Sequence, residues 1–309
     1  MSTPGTVAAG AVRVSLRRQR TDVAGYVFSA MLLVSLLFTL AILAVLVADQ
    51  LARGIAVFAE RGTGLLTSPL SSNPNRAGVI QGVVGSAMLA VIVALTAFPV
   101  GILTAVYLEE YAPSGRLTRF IDVNIRNLAG VPSVVYGLLG LAVFVALLSK
   151  VGEANGANVI TGGLTLAVLI LPLVIITSAE AIRAVPNAIR EAGYGIGASR
   201  WQVVRKLVLP SATPGILTGT VLALSRALGE TAPLILVGAV LGSFSSGRSL
   251  SDLFTGPYSA LPVIVYDWAR KPQDEFRALT SAAIIVLLAV TVIANAFAIL
   301  LRNRYDRRW

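Results

Sequence analysis

An arginine and a glutamate lie four residues apart in an otherwise apolar stretch of the sequence. The stretch is 215–242, and its segment RALGETAPL puts Arg226 and Glu230 near the middle. An arginine at the centre of a membrane helix costs about 2.5–3.5 kcal/mol on insertion scales, and charge inside a membrane is typical of functional sites. A guanidinium offers an anion charge-assisted, bidentate hydrogen bonds. We therefore predict that Arg226 lines a polar pathway and binds an anion, and that Glu230 positions the guanidinium and limits how tightly the anion binds.

Helical periodicity predicts which side of this stretch each residue occupies. At about 100° per residue, one narrow arc combines the two charges with small residues that permit close helix approach, namely Gly215, Gly219, Ala223, Arg226 and Glu230. The opposite side is predicted to face lipid, with Leu217, Val221, Leu224, Leu228, Leu234 and Ile235. Pro233 is expected to bend the helix just beyond Glu230. The alternative is that the two charges form an ion pair that only joins one helix to another.

The elements that position these charges are predicted to be membrane helices. Of the 309 residues, 56% are hydrophobic and 13% are charged, about half the charged fraction of a soluble domain. Six apolar runs are each long enough to cross a hydrocarbon core of roughly 30 Å, namely 26–48, 79–108, 128–148, 159–179, 215–242 and 278–301. Strands of a membrane barrel would be shorter and would alternate apolar with polar residues. The sequence therefore predicts an all-α membrane protein with six transmembrane helices.

These runs give the expected organisation of the chain. We predict a cytoplasmic tail 1–25, a first membrane helix 26–48, an external loop 49–78, a membrane domain 79–302 and a cytoplasmic tail 303–309. The first run could instead be a signal peptide, but its apolar core exceeds the usual length of about 7–15 residues. A retained helix is the favoured interpretation.

The basic residues predict the orientation of the chain. The net charge is +10, and 16 of the 25 Lys and Arg residues fall in segments 1–25, 108–127, 180–214 and 302–309. The positive-inside rule then places both termini in the cytoplasm. Because these charges flank membrane segments, we attribute them to lipid head groups and predict no binding of nucleic acid.

Several kinds of chemistry are excluded by composition. The chain has no Cys and no His, which removes thiol redox chemistry, most zinc sites and histidine acid–base catalysis. None of its three Lys residues follows a glycine, so the chain lacks the P-loop that binds ATP. We therefore predict no metal, no cofactor and no catalytic residue, and an ATP-driven process would need another subunit to hold the nucleotide.

The cytoplasmic segment 180–214 interleaves charged with apolar residues and is predicted to contain short helices. Pro186 is expected to open one of them, and one of Gly193, Gly195 and Gly197 to end it. Pro210 and Pro214 are expected to break the chain before the fifth membrane helix. The alternative is a simple connector whose amphipathic helices lie on the membrane.

Part of this segment resembles the EAA loop of ABC importer permeases. In EAGYGIGASRWQVVRKLVLP, the residues Glu191, Ala192, Gly197, Leu209 and Pro210 stand in the register of that motif, whereas Gly193 replaces its second alanine and Leu207 its isoleucine. The resemblance implies that the loop forms a coupling helix that docks on an ATPase subunit. It also implies a type I ABC importer permease (MetI-like) fold.

Further motifs resemble the PstA-type permeases of phosphate importers over roughly 79–302. They are GVPSVVYGLLGL, LPSATPGILTG, RALGETAPL and ALPVIVYDWARKPQDEF. The resemblance implies a PstC-type permease as heterodimer partner, two copies of a PstB-type ATPase, and a PstS-type protein that delivers phosphate from outside. From the residues alone, the substrate could also be another oxyanion such as molybdate or sulfate, and the chain could be an anion carrier that works without ATP. A membrane enzyme is not supported, because the sequence shows no pairing of nucleophile and base and no metal-binding group of residues.

Overall fold

A computed structural model of the chain describes residues 23–150, 156–239 and 256–305. Within these ranges the secondary structure is helical. In chain order the helices are α1 Val23–Arg61, α2 Gly64–Thr67, α3 Ile80–Tyr111, α4 Arg116–Ala129, α5 Ser133–Lys150, α6 Val159–Arg183, α7 Asn187–Gly195, α8 Arg200–Gly229, α9 Ala232–Leu236, α10 Leu261–Ala269 and α11 Asp274–Tyr305. Six of these described helices are long and apolar enough to cross a membrane, as predicted, namely α1, α3, α5, α6, α8 and α11.

The first helix is longer than predicted. The expected span ended at residue 48, but α1 continues to Arg61, so the predicted external loop 49–78 begins as helix. The helix ends where Gly62 adopts a φ of 54°, a left-handed conformation that glycine adopts without steric cost at helix C-termini. The chain divides into two compact units between Ala52 and Arg53. In the first unit the described residues are helical and their apolar side chains are largely exposed.

The ends of the chain lie partly outside the described residues. Of the predicted cytoplasmic tails, 1–22 and 306–309 are not described, and α11 continues through the start of the predicted tail 303–309 to Tyr305. The second unit, from Arg53 onward, contains all the elements discussed below.

Among its described residues, three apolar clusters organise the second unit. The central cluster joins buried residues of α3, α5, α6, α8 and α9, including Val93, Ile170 and Leu234. A second cluster surrounds Trp268 and Phe276, whose rings lie 5.8 Å apart. The third joins the C-terminal ends of α3 and α6 to the beginning of α8. Side chains on the outer faces of the long helices are apolar and exposed, as expected of surfaces that face lipid.

The predicted break at Pro210 and Pro214 is wrong. Helix α8 runs without interruption from Arg200 to Gly229 and contains both prolines. A wide π-helical turn, Val204–Val208, comes immediately before Pro210. Because a proline cannot donate to the preceding turn and its ring crowds that turn, the wider turn accommodates it and lets the helix continue. The connecting segment between α6 and α8 is therefore 184–199, shorter than the predicted 180–214.

Candidate functional site

Arg226 lies in the last turn of α8, and Glu230 follows the end of that helix. The guanidinium Nε lies 3.4 Å from the Glu230 Oε1, a contact longer than most charge-assisted hydrogen bonds. The Arg226 side chain is 44% exposed and that of Glu230 is 18% exposed. The structure therefore forms the predicted pair, with the arginine accessible and the carboxylate half-buried beside it.

The predicted position of this pair in the middle of one helix over 215–242 is wrong. The helix ends at Gly229, Glu230 has an extended backbone, and α9 begins at Ala232. Pro233 lacks the N–H that would bond to the Gly229 carbonyl, so its presence ends α8 where the sequence predicted a bend. A cation in a last helical turn is favoured by the helix dipole by about 0.3–1 kcal/mol, which lowers the cost of placing Arg226 there.

The small-residue face of α8 packs closely on α6, as predicted. A Cβ atom on Gly219 would overlap the side chain of Thr177, and one on Gly215 would lie 2.7 Å from the Ala181 Cβ. Ala223, on the same arc, is fully buried. This close contact places α8 directly against α6 and leaves Arg226 at the exposed end of the same face.

The predicted lipid-facing side is only partly correct. Leu217, Val221 and Leu224 are half-buried and Ile235 is exposed. Leu228 and Leu234 are buried within the chain, at 4% and 1% exposure. The error follows from the helix end, because Leu234 belongs to the separate helix α9 and turns into the central cluster.

A polar contact beside Arg226 was not predicted. The hydroxyl of Ser225 lies 2.7 Å from the Asn295 Oδ1 of α11 and 2.9 Å from the carbonyl oxygen of Val221. Asn295 is an amide side chain in a mainly apolar run, and this feature of the sequence could have indicated a polar contact at this position. Because buried polar groups in membrane helices pair with one another, this contact joins α8 to α11 one residue before Arg226.

The segment that resembles the EAA loop forms a short helix at the other end of α8. Pro186 precedes the first residue of α7, as predicted, and the helix ends at Gly195. Gly197 then takes a φ of 80°, which turns the chain back toward α8. Ser199 caps α8 by accepting a hydrogen bond from the Gln202 N–H. The two helices thus form a hairpin at the tip of the connecting segment.

The EAA-like residues are divided between the two helices of this hairpin. Glu191 and Ala192 are exposed on α7, and Gly197 is exposed in the turn that follows it. Leu209 is half-buried and Pro210 is exposed, directly after the π turn of α8. Gly193 is buried, and a Cβ there would lie 2.8 Å from the ends of both Leu207 and Val203. Glycine in place of the motif's alanine therefore lets α7 pack directly on α8.

The tip of the hairpin exposes large apolar side chains. Ile196 is 86% exposed, Trp201 is 56% exposed and Tyr194 is 44% exposed. Exposed arginine and lysine side chains surround them, at positions 200, 205 and 206. An apolar patch with a charged rim is typical of a protein-binding surface.

A half-buried arginine in α7 was also not predicted. Arg190 donates two hydrogen bonds to the carboxylate of Glu110 in α3 and further hydrogen bonds to carbonyl oxygens at the end of α6. Glu110 is 5% exposed. The signal in the sequence is the pair of glutamates, Glu109 and Glu110, at the end of an apolar run, but nothing in their spacing identifies their partners.

At the opposite end of α6, a short segment before α10 packs deeply into the unit. Tyr258 is fully buried against Gly162 of α6, where a Cβ would overlap the hydroxyl. Burial raises the pKa of the Tyr258 hydroxyl, so it stays neutral. The backbone of Ser259 crosses Gly85 of α3 with no room for a Cβ, and the Leu261 N–H donates to the Ser86 hydroxyl at 2.9 Å.

Among the described residues no cluster of three or more carboxylates could hold a metal ion. Two groups of polar residues carry the sequence predictions, one around Arg226 and one around the α7–α8 hairpin. Helix α8 contributes to both.

Comparison with known proteins relates this arrangement to a family. Residues 97–308 match the family of binding-protein-dependent transport system inner membrane components. The chain is 36% identical over 234 residues to the phosphate transport system permease protein PstA of Mycobacterium leprae, covering 75% of this chain and 72% of that protein. It is 32% identical over 288 residues to PstA of Yersinia pestis, covering 91% and 90% of the two chains.

Solved structures share the fold at low sequence identity. A bacterial alginate ABC transporter, in complex with an alginate-bound periplasmic protein, matches with a TM-score of 0.63 and 16% identity over 94% of this chain and 99% of that one. An inward-facing MetNI methionine ABC transporter matches with a TM-score of 0.59 and 16% identity over 74% and 96%. The fold is that of the MetI-type permeases, and the protein is a multi-pass inner membrane protein that belongs to the family of binding-protein-dependent transport system inner membrane components.

Proposed function

We propose that this chain is a permease subunit of an ATP-driven importer and moves inorganic phosphate inward across the cytoplasmic membrane. The observation that carries the proposal is the similarity to phosphate permeases, which extends over 91% of the chain in one relative. The six membrane helices and the absence of a P-loop in the sequence support a transport subunit whose nucleotide is held elsewhere.

Arg226 binds the phosphate as it passes. Its guanidinium is accessible and has a loose 3.4 Å contact with Glu230, so it can offer hydrogen bonds to an anion while it stays oriented. A binding site on a transport pathway must also release its ligand. The Glu230 carboxylate serves this by competing with the anion for the guanidinium.

The α7–α8 hairpin couples the permease to its ATPase. Its exposed Ile196 and Trp201 dock on an ATPase subunit, and Glu191 and Ala192 lie on the exposed side of α7 where they contribute to the same contact. Gly193, Gly197, Leu209 and Pro210 shape the hairpin. ATP-driven closure of two ATPase subunits then moves the hairpin and switches the pathway from outward- to inward-facing by rigid-body rotation.

The complete importer contains further subunits. A PstC-type permease completes the pathway as a heterodimer with this chain, two copies of a PstB-type ATPase lie on the cytoplasmic side, and a PstS-type protein delivers phosphate from outside. Both termini lie in the cytoplasm in this proposal, which the basic residues around the hairpin and in the tails support through the positive-inside rule.

The test is phosphate uptake into vesicles that contain this chain with its partner permease, ATPase and binding protein. We expect uptake of radiolabelled phosphate to require ATP hydrolysis and to be undiminished by excess molybdate or sulfate. Equal competition by one of these anions would identify another oxyanion as the substrate. Uptake that continues with a non-hydrolysable ATP analogue would indicate an ATP-independent anion carrier.

A further inference from the structure

We propose that Arg190 and Glu110 are positioning residues that lock the coupling helix α7 to the membrane helices α3 and α6. Because of this lock, α7, α3 and α6 move together as one rigid body. The proposal rests on the transport function proposed above and names the side chains through which its coupling acts.

The guanidinium of Arg190 bridges three elements of the chain. Its Nε and Nη2 donate to the Glu110 Oε1 of α3 at 3.1 and 2.8 Å. Its Nη2 also donates to the carbonyl oxygen of Ile182 in the last turn of α6 at 2.9 Å, and its Nη1 donates to that of Val185 at 2.6 Å. The Asn187 Oδ1, at 3.4 Å, receives a weaker contact. All three nitrogens of one side chain in α7 are therefore engaged.

Burial makes these contacts stronger than a surface ion pair. The Arg190 side chain is 18% exposed and that of Glu110 is 6% exposed. Charges removed from water interact more strongly than exposed ones, and a planar guanidinium holds several acceptors in fixed directions. The carbonyl oxygens at the C-terminus of α6 carry the negative end of the helix dipole, which also favours a cation at this place.

The end of α3 is shaped to make such contacts. Its last residues, Tyr107–Tyr111, form a π-helical turn, a feature often found at functional sites. Within it, Glu109 pairs with Arg183 of α6 and Glu110 with Arg190 of α7. The ring of Tyr111 lies 5.1 Å from the guanidinium carbon of Arg200 at the start of α8.

Apolar packing does not provide the same constraint. Gly193 of α7 rests on Val203 and Leu207 of α8, and Ile189 packs at the edge of the cluster that joins α3, α6 and α8. Apolar contacts are non-directional, so they resist separation of α7 more than its rotation or sliding. Directional hydrogen bonds from Arg190 fix its orientation, and this is why we assign the transmission of force to them.

The experiment compares two glutamates in the assembled importer. Glu110→Gln removes the charge that holds α7, whereas the matched control Glu109→Gln removes a neighbouring charge whose partner, Arg183, is 57% exposed and belongs to α6. The measured quantity is phosphate transported per ATP hydrolysed in vesicles. We expect this ratio to fall about tenfold or more in Glu110→Gln, since the largely buried guanidinium of Arg190 loses its counter-charge. In Glu109→Gln we expect it to change less than about twofold, as for an ion pair whose cation is exposed.

A cross-linking variant separates a mechanical role from a role in folding. The chain contains no cysteine, so within it Glu110→Cys and Arg190→Cys can be bridged specifically by a bifunctional methanethiosulfonate reagent, which forms a reducible disulfide with each thiol and releases sulfinate. We expect the double variant to hydrolyse ATP with little transport, and the cross-link to restore the ratio until it is reversed by reduction. Failure of the cross-link to restore transport in an assembled complex would overturn the proposal.

The outcomes distinguish this proposal from the proposed function. If the wild-type complex shows no ATP-dependent phosphate uptake, the proposed function is wrong. If the wild type transports and Glu110→Gln keeps its ratio, only the lock is wrong. Assembly of Glu110→Gln is measured by copurification of the ATPase. If this variant loses assembly and not coupling, the lock is also wrong, because the pair would then serve folding alone.

Discussion

Arg226→Gln is expected to lower phosphate uptake about tenfold when phosphate is well below saturation. Glutamine keeps a hydrogen-bonding amide on a shorter side chain and removes the charge. A hydrogen bond to a charged group contributes about 1.5–3 kcal/mol, and the 44% exposure of the Arg226 side chain favours the lower end of that range. A loss of about 1.4 kcal/mol corresponds to a tenfold change, and the maximal rate should change less than the half-saturating concentration.

Glu230→Gln should act in the opposite direction. Removing the carboxylate leaves the full charge of Arg226 to the anion, so the half-saturating phosphate concentration should fall. The maximal rate should fall with it, because a more tightly held anion leaves more slowly. A site that only joins helices would not produce this opposite pair of effects.

The assay is initial-rate phosphate uptake into vesicles over a range of phosphate concentrations, with assembly checked by copurification of all subunits. A matched control is Arg126→Gln in α4, which breaks another i,i+4 arginine–carboxylate pair, with Asp122 at 3.1 Å and side chains 41% and 42% exposed. The reasoning is refuted if Arg226→Gln transports normally, or if Arg126→Gln loses as much activity. In the first case the Arg226–Glu230 pair is a structural contact at the end of α8.

Three further variants test other parts of the structure. Ile196→Asp places a charge on an apolar side chain at the tip of the hairpin that is 86% exposed. It should leave the fold unchanged but weaken ATPase binding about ten- to a hundredfold in a pull-down, which corresponds to about 1.5–3 kcal/mol of lost apolar burial. Normal binding of the ATPase by this variant would place the docking surface elsewhere. Gly85→Ala introduces a Cβ against the backbone of Ser259 and should lower the stability of the fold by about 1–3 kcal/mol or more through overpacking. The purified complex should then aggregate at a lower temperature on heating. Gly64→Ala is the control, because open space surrounds Gly64. Trp268→Ala empties a site that is 1% exposed and should cost about 3–5 kcal/mol, so an unchanged melting profile would contradict the packing described around Phe276.

The six membrane helices were predictable because their signal is local. Each of them contains a mainly apolar stretch without charged residues that is long enough for the bilayer, and no knowledge of its neighbours is needed to detect it. Pro186 and the glycines up to Gly197 likewise predicted the short helix α7 from local backbone preferences. The family could be inferred in the same way, because the EAA-like residues lie within one short segment.

The ends of the helices were harder to predict because two prolines of similar appearance act differently. Pro210 follows a π turn and stays inside α8, whereas Pro233 follows Gly229 and Glu230 and ends it. The hydrogen bond missing at a proline can be absorbed by a wider turn or by a break in the helix. Which of these two outcomes occurs depends on the surrounding packing, and the packing cannot be inferred from the composition of the segment.

Contacts between distant residues could not be predicted at all. Glu110 and Arg190 are 80 positions apart, and each is one of several charged residues at the end of an apolar run. Their pairing follows from the close packing of α3, α6 and α8 around the third cluster, which brings the π turn of α3 next to α7. A sequence read alone shows that these charges need partners, but it does not show which ones.

The continuity of α8 connects the two parts of the candidate site. The helix begins at Arg200, in the α7–α8 hairpin proposed to contact the ATPase, and Arg226 lies 26 residues later in its last turn. At about 1.5 Å per residue, the two ends are joined by roughly 39 Å of unbroken helix. Had Pro210 broken the chain as the sequence predicted, a displacement of the hairpin would be absorbed at the break. Because the helix continues, rotation of its coupling end must also displace Arg226, and the force that reaches the hairpin acts directly on the residue proposed to hold the anion.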